Sequence, residues 1–109
     1  MASINIVELV KKNKFGAKTY WIQIDTLHRV EINEANNGTY IIEFFERGIV
    51  WPTHLYSFTS NDDIIEVISQ SMDKVADYFR QSPKYNVPEH LHTKDKREAM
   101  AIAHNLFKR

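Results

Sequence analysis

The chain is predicted to be an α+β protein: an antiparallel β-meander of four or five strands in the N-terminal half, packed against two C-terminal α-helices. Three observations lead there. Apolar and polar residues alternate between Tyr20 and Phe58. The apolar spacing then changes to threes and fours from Ile64 to Phe79, and a second helical stripe follows from Ala99 to Phe107.

The first segment fits two patterns. Ile4, Ile6, Val7 and Val10 are β-branched and favour a strand, while Ile6, Leu9 and Val10 after Ser3 also satisfy a short helix. The strand is preferred. Tyr20, Ile22 and Ile24 then alternate with Trp21, Gln23 and Asp25, as in a strand with one face buried. His28, Val30 and Ile32 continue the pattern, Asn36-Asn37-Gly38 supplies residues that tolerate positive φ, and Tyr40, Ile42 and Phe44 resume it, which specifies a hairpin. Asn37-Gly38-Thr39 also matches the glycosylation acceptor pattern, and a turn is the reading adopted. Gly48 marks the next turn. Ile49 to Phe58 reads as a further strand whose Pro52 cannot donate to a ladder, so it belongs at a sheet edge or carries a bulge.

Ile64, Ile65, Ile68, Met72, Val75, Ala76 and Phe79 give an amphipathic helix over about residues 61 to 81. Ser60 and Asp63 stand in a capping arrangement before it, and Ser82-Pro83 stops it. A polar connector is expected from Pro83 to Thr93. The second helix then has Asp95 and Glu98 in its first turn and Lys108-Arg109 at its end, matching the helix dipole.

With 109 residues, 43% hydrophobic and 12% aromatic, the chain is expected to form one domain around one core. It contains no cysteine, so disulfides, thiolate chemistry and cysteine-ligated metals are excluded. The N-terminal residues lack a basic start followed by an apolar run, and no window approaches the roughly 18–20 apolar residues of a membrane span. A cytoplasmic location without membrane association is the expectation.

Fourteen basic and fourteen acidic residues cancel, yet they are unevenly placed. Residues 1–18 carry four lysines against Glu8, residues 19–63 two arginines against seven acids, and residues 80–109 seven basic groups against three acids. The sheet region is therefore acidic and both ends are basic. A shared basic face of the Lys11–Lys18 loop and the last helix would steer a charged partner despite zero net charge.

Lys11, Lys12, Lys14 and Lys18, with Phe15, Tyr20 and Trp21 interleaved, present phosphate-neutralising charges beside stacking planes, and Lys94, Lys96 and Arg97 lie in the basic final helix. Glu89-His90-Leu91-His92, with His104 as a further donor, is the best metal-like cluster. Two histidines in a polar connector do not make a site, and no metal is expected. Gly16, Gly38 and Gly48 stand alone, so no phosphate loop or dinucleotide fingerprint is present and no cofactor is implied. Acid–base pairs of His28 or His54 with Glu43 or Glu46 are the only catalytic option left, and no catalytic residue is assigned.

Ile41 and Phe45 alternate with Tyr40, Ile42 and Phe44, so both sheet faces are partly apolar and need covers. Helices supply one. A partner protein, a second copy or the N-terminal segment supplies the other, with Phe45, Trp51 and Tyr56 as anchors. The expected function is a small non-catalytic binding or regulatory protein, of inhibitor or adaptor type, acting through its aromatic, acidic sheet side. The alternative is a nucleic-acid-binding regulator using the basic loop and helix.

Overall fold

A computed structural model describes residues 4–9, 18–35, 37–82 and 84–107. The order is β1 (Asn5–Leu9), β2 (Thr19–Gln23), β3 (His28–Glu34), β4 (Tyr40–Glu46), β5 (Thr53–Ser60), α1 (Ile64–Gln81) and α2 (Glu89–Leu106). The five strands form one antiparallel sheet in sequence order, β1-β2-β3-β4-β5, followed by the two helices. This is the predicted α+β meander. The first segment is the edge strand β1, so it extends the sheet and does not cover one of its faces.

Alternation sorts the strands into two faces. Ile6, Tyr20, Ile22, Val30, Ile32, Ile42 and Phe44 point to the helices and are buried. They meet Val67, Ile68, Met72, Val75 and Phe79 from one stripe of α1, which lies over β4. Ala99 and Ala103 of α2 are fully buried, and their short side chains let α2 pack close to α1 and reach β1. Among the described residues no helix is long and apolar enough to cross a membrane.

Three boundaries differ from the sequence expectation. The last strand begins at Thr53 because residues 49–52 form a turn outside the ladder, with Pro52 just before the strand. β5 is nevertheless an edge strand, and its register slips by one residue between Phe44 and Phe45, so it carries both features that Pro52 suggested. The cap of α1 is Asp63 alone, accepting from Glu66 N at 2.9 Å. Ser60 Oγ instead accepts from Asp62 N at 3.2 Å, ordering the approach to the helix. The second helix starts at Glu89, inside the expected connector. Pro88, with its fixed φ, stands at the N-cap, and the Arg80 Nε of α1 donates to both Glu89 carboxylate oxygens at 3.0 and 3.1 Å.

The β3–β4 hairpin closes as predicted. Ala35 N donates to Thr39 O at 2.8 Å, and Gly38 takes φ +83°, a conformation that side chains with a Cβ rarely adopt.

Candidate functional site

The end of the sheet where β2 turns into β3 and β4 into β5 gathers most of the polar chemistry. The hairpin register places His28 directly across from Glu46. His28 is 1% exposed, with Nδ1 3.0 Å from Asp25 Oδ1 and Nε2 3.1 Å from Glu46 Oε1. Both neighbours are carboxylates, which only accept, so making both bonds requires both ring N–H groups and hence the imidazolium. Phe44 stacks on the ring, and Phe79 and Tyr85 meet it edge-on. Burial works against the charged ring, but Asp25 and Glu46 outweigh it and the His28 pKa is raised. Burial likewise opposes the Asp25 carboxylate. Hydrogen bonds from His28 and from the Leu27 backbone N–H prevail, and its pKa is lowered. The Tyr85 hydroxyl donates to Glu46 and is the largest cause of that carboxyl's lowered pKa, opposed by burial and helped by His28 and Lys84.

The sequence candidates for acid–base pairing therefore do meet, as His28 with Glu46 and as His54 with Glu43 at 3.5 Å. In the first pair both imidazole nitrogens are occupied by carboxylates, an arrangement that fastens the β2–β3 turn to the β3–β4 hairpin. The second pair lies on the sheet face away from the helices. There Glu31 and Glu43 stand opposite each other in register, and each has its own side-chain partner. Arg29 Nη2 donates to Glu31 at 3.2 Å, and His54 faces Glu43. The Arg29 guanidinium also sits 5.0 Å from the Trp21 ring and 5.2 Å from the Phe45 ring, and Phe45 meets His54 edge-on. Trp21, Arg29, Phe45 and His54 form a continuous row across β2 to β5.

Beyond Phe45 and His54 the chain leaves the sheet in the β4–β5 loop. Val50 and Trp51 are 77% and 79% exposed, and Ile49 is fully exposed. Leu27, in the adjacent β2–β3 turn, is exposed too, and its carbonyl accepts from Arg47 N at 2.6 Å, joining the two turns. The loop is closed on itself at Gly48, where a Cβ would stand 2.0 Å from the Trp51 carbonyl oxygen. Only glycine admits this approach.

The anchors named from the sequence thus separate. Phe45 and Trp51 lie on or beside the open face. Tyr56 points the other way, packing on Phe44 and Phe58 with its hydroxyl buried and unpaired, because the register slip sets it opposite Phe44 under α1. The basic residues separate as well. Lys11, Lys12, Lys14 and Phe15 lie outside the described residues. Lys18 is exposed at the start of β2, where neighbouring Tyr20 touches Phe107 past the C-terminal end of α2. Lys94, Lys96 and Arg97 belong to the first half of α2, about 15–20 Å back along the helix at its 1.5 Å rise per residue. Lys96 is paired with Asp73 at 2.8 Å.

His90 and His92 were expected in an extended segment and are helical instead. Two positions apart on a helix they diverge, leaving His90 exposed and His92 buried. Among the described residues no three His, Asp or Glu side chains stand close enough to hold a metal ion. Sequence reasoning missed Asp25, whose spacing to His28 spans a tight turn, and Tyr85, which arrives from the helix connector and leaves no local signal. It also missed Ile49 and Val50, which it placed inside a strand.

Comparison with known proteins gives no matching family model, no matching curated protein and no matching solved structure.

Proposed function

We propose that the protein binds a partner protein through the β4–β5 loop and the adjoining open sheet face, acting as a non-catalytic regulator of inhibitor or adaptor type. The observation that carries this reading is the exposed apolar triplet Ile49-Val50-Trp51, in a tight turn where Gly48 comes close to the Trp51 carbonyl. Three consecutive exposed apolar side chains are unfavourable in water, and a preformed loop loses little entropy on docking. Trp51 supplies the kind of large aromatic anchor that dominates interface energetics. Phe45 and the Arg29-bridged row continue the surface, and Glu31 and Glu43 add an acidic character that suits a basic rim on the partner.

The test is affinity capture with the wild type and with Trp51→Asp side by side, with folding of both confirmed by circular dichroism. A protein retained by the wild type and lost by the variant supports the reading, and sedimentation velocity shows whether that protein is a second copy. Identical captured sets, or none, refute it.

A further inference from the structure

A cavity of about 90 Å³ lies where the end of β2, both helices and their connector meet. Ile24, Met72, Val75, Ala76 and Phe79 make most of its wall apolar. Four polar residues also line it: Asp25, Tyr85, His92 and Asp95. Two of these are unsatisfied. His92 is 7% exposed, and its Nε2 is buried without a hydrogen-bond partner. Asp95 stands one turn further along α2 at i+3, and among the described residues its carboxylate has no hydrogen-bond or ion-pair partner. Burial and the nearby Glu98 raise the Asp95 pKa, opposed by His92 and Lys94. Asp25 is already committed to His28, and among the described residues no lysine or arginine lines the space.

Apolar walls with a buried imidazole nitrogen and a lone carboxylate at one end call for a ligand with an apolar body and a cationic, donor-rich head. An anion is disfavoured by the two aspartates. A cavity of about 150 Å³ accommodates benzene, so 90 Å³ scales to about four heavy atoms. We propose that this cavity binds a primary aliphatic ammonium of about three to five heavy atoms, donating to His92 Nε2 and the Asp95 carboxylate with its alkyl part between Met72, Val75 and Phe79. Such a head comes either from a free amine or from the tip of a protein lysine.

The experiment is an NMR titration of the full chain with propylammonium, 1-propanol and propanoate, which share a tail and differ in the head. N-acetyl-Gly-Lys-Gly-amide forms a fourth arm. Propylammonium should shift Met72, Val75, Phe79 and His92 and bind at least about tenfold tighter than propanol, equivalent to about 1.4 kcal/mol. Propanoate should leave these signals unmoved. Asp95→Asn should bring propylammonium down to the level of propanol, and Ala76→Leu, which fills the space, should abolish both. Binding of the lysine peptide alongside propylammonium assigns the site to a protein side chain, and failure of the peptide alone assigns it to a free amine. Equal affinity for propanol, binding of propanoate, an Asp95→Asn variant that still prefers the ammonium, or unmoved cavity signals in every arm overturns the proposal.

Discussion

Replacing His28 with leucine tests the charge cluster at the sheet end. The substitution keeps side-chain volume close and removes both N–H donors, so Asp25 and Glu46 lose the cation between them. Breaking a fully buried pair costs about 3–5 kcal/mol, and the partial exposure of Asp25 lets water offset some of that, leaving about 2–4 kcal/mol. The pH dependence carries the sharper signature. The His28 pKa is raised above its ordinary 6.5, so the stability it contributes is fully present below pH 6.5 and is lost as pH rises through the folded value. Between those limits the folded protein holds one more proton than the unfolded chain, and stability falls by about 1.4 kcal/mol per pH unit. The Asp25 and Glu46 pKa values are lowered from 3.8 and 4.5, so their contribution is present above pH 4.5 and is lost as pH falls through the folded values. Urea unfolding of wild type and His28→Leu at half-unit steps from pH 4 to 9 measures the difference, in which other titrating groups cancel. The stability gap should be widest near pH 5–6.5 and close on both sides. A gap that stays constant above pH 6.5, or widens there, refutes an imidazolium held between two carboxylates.

Phe44→Ala should cost about 3–5 kcal/mol, because the ring is fully buried against His28, Tyr56, Tyr78 and Phe79; thermal unfolding should show a loss of at least about 12 °C. Asp63→Ala should cost about 1 kcal/mol through loss of the α1 cap, while Ser60→Ala should stay within about 0.5 kcal/mol, and equal costs in denaturant unfolding would restore the sequence-based cap. Gly48→Ala should force the β4–β5 loop open and cost about 1–2 kcal/mol; NMR shifts should concentrate at residues 47–52, and capture of the partner should weaken with the core unchanged.

The sheet and helices were legible because burial has a period. Tyr20 to Phe44 repeat every two residues and Ile64 to Phe79 every three or four, and the same residues form the core. What failed was local. Residues 49–51 carry strand-forming side chains, so their apolar content mimicked a buried strand, while the chain runs there in an exposed turn in which Gly48 comes close to the Trp51 carbonyl. A propensity pattern records which side chains are apolar and is blind to a backbone contact three residues apart. The start of α2 was missed for a related reason. Glu89 to Lys94 are polar apart from Leu91, and their helix is anchored by Arg80, a residue of another helix.

The charge cluster was partly legible. The β3–β4 turn is centred on residue 37, so each partner pair sums to 74, and this alone sets His28 against Glu46. The corresponding arithmetic for the β4–β5 hairpin fails at one residue. The slip between Phe44 and Phe45 changes the sum from 100 to 99, so His54 lies beside Phe45 while Tyr56 stays opposite Phe44 on the inner face. One inserted residue thus decides which aromatic side chains reach the open face. It leaves Phe45 in line with Arg29 and Trp21 and next to the loop that carries Trp51, while Tyr56 goes to the core. Deleting Leu55 would restore an unbroken ladder that still sets His54 opposite Phe45 and Tyr56 opposite Phe44. The extra residue is therefore what lets His54 and Tyr56, two apart in sequence, face opposite sides of the sheet, one joining the open row and the other the core.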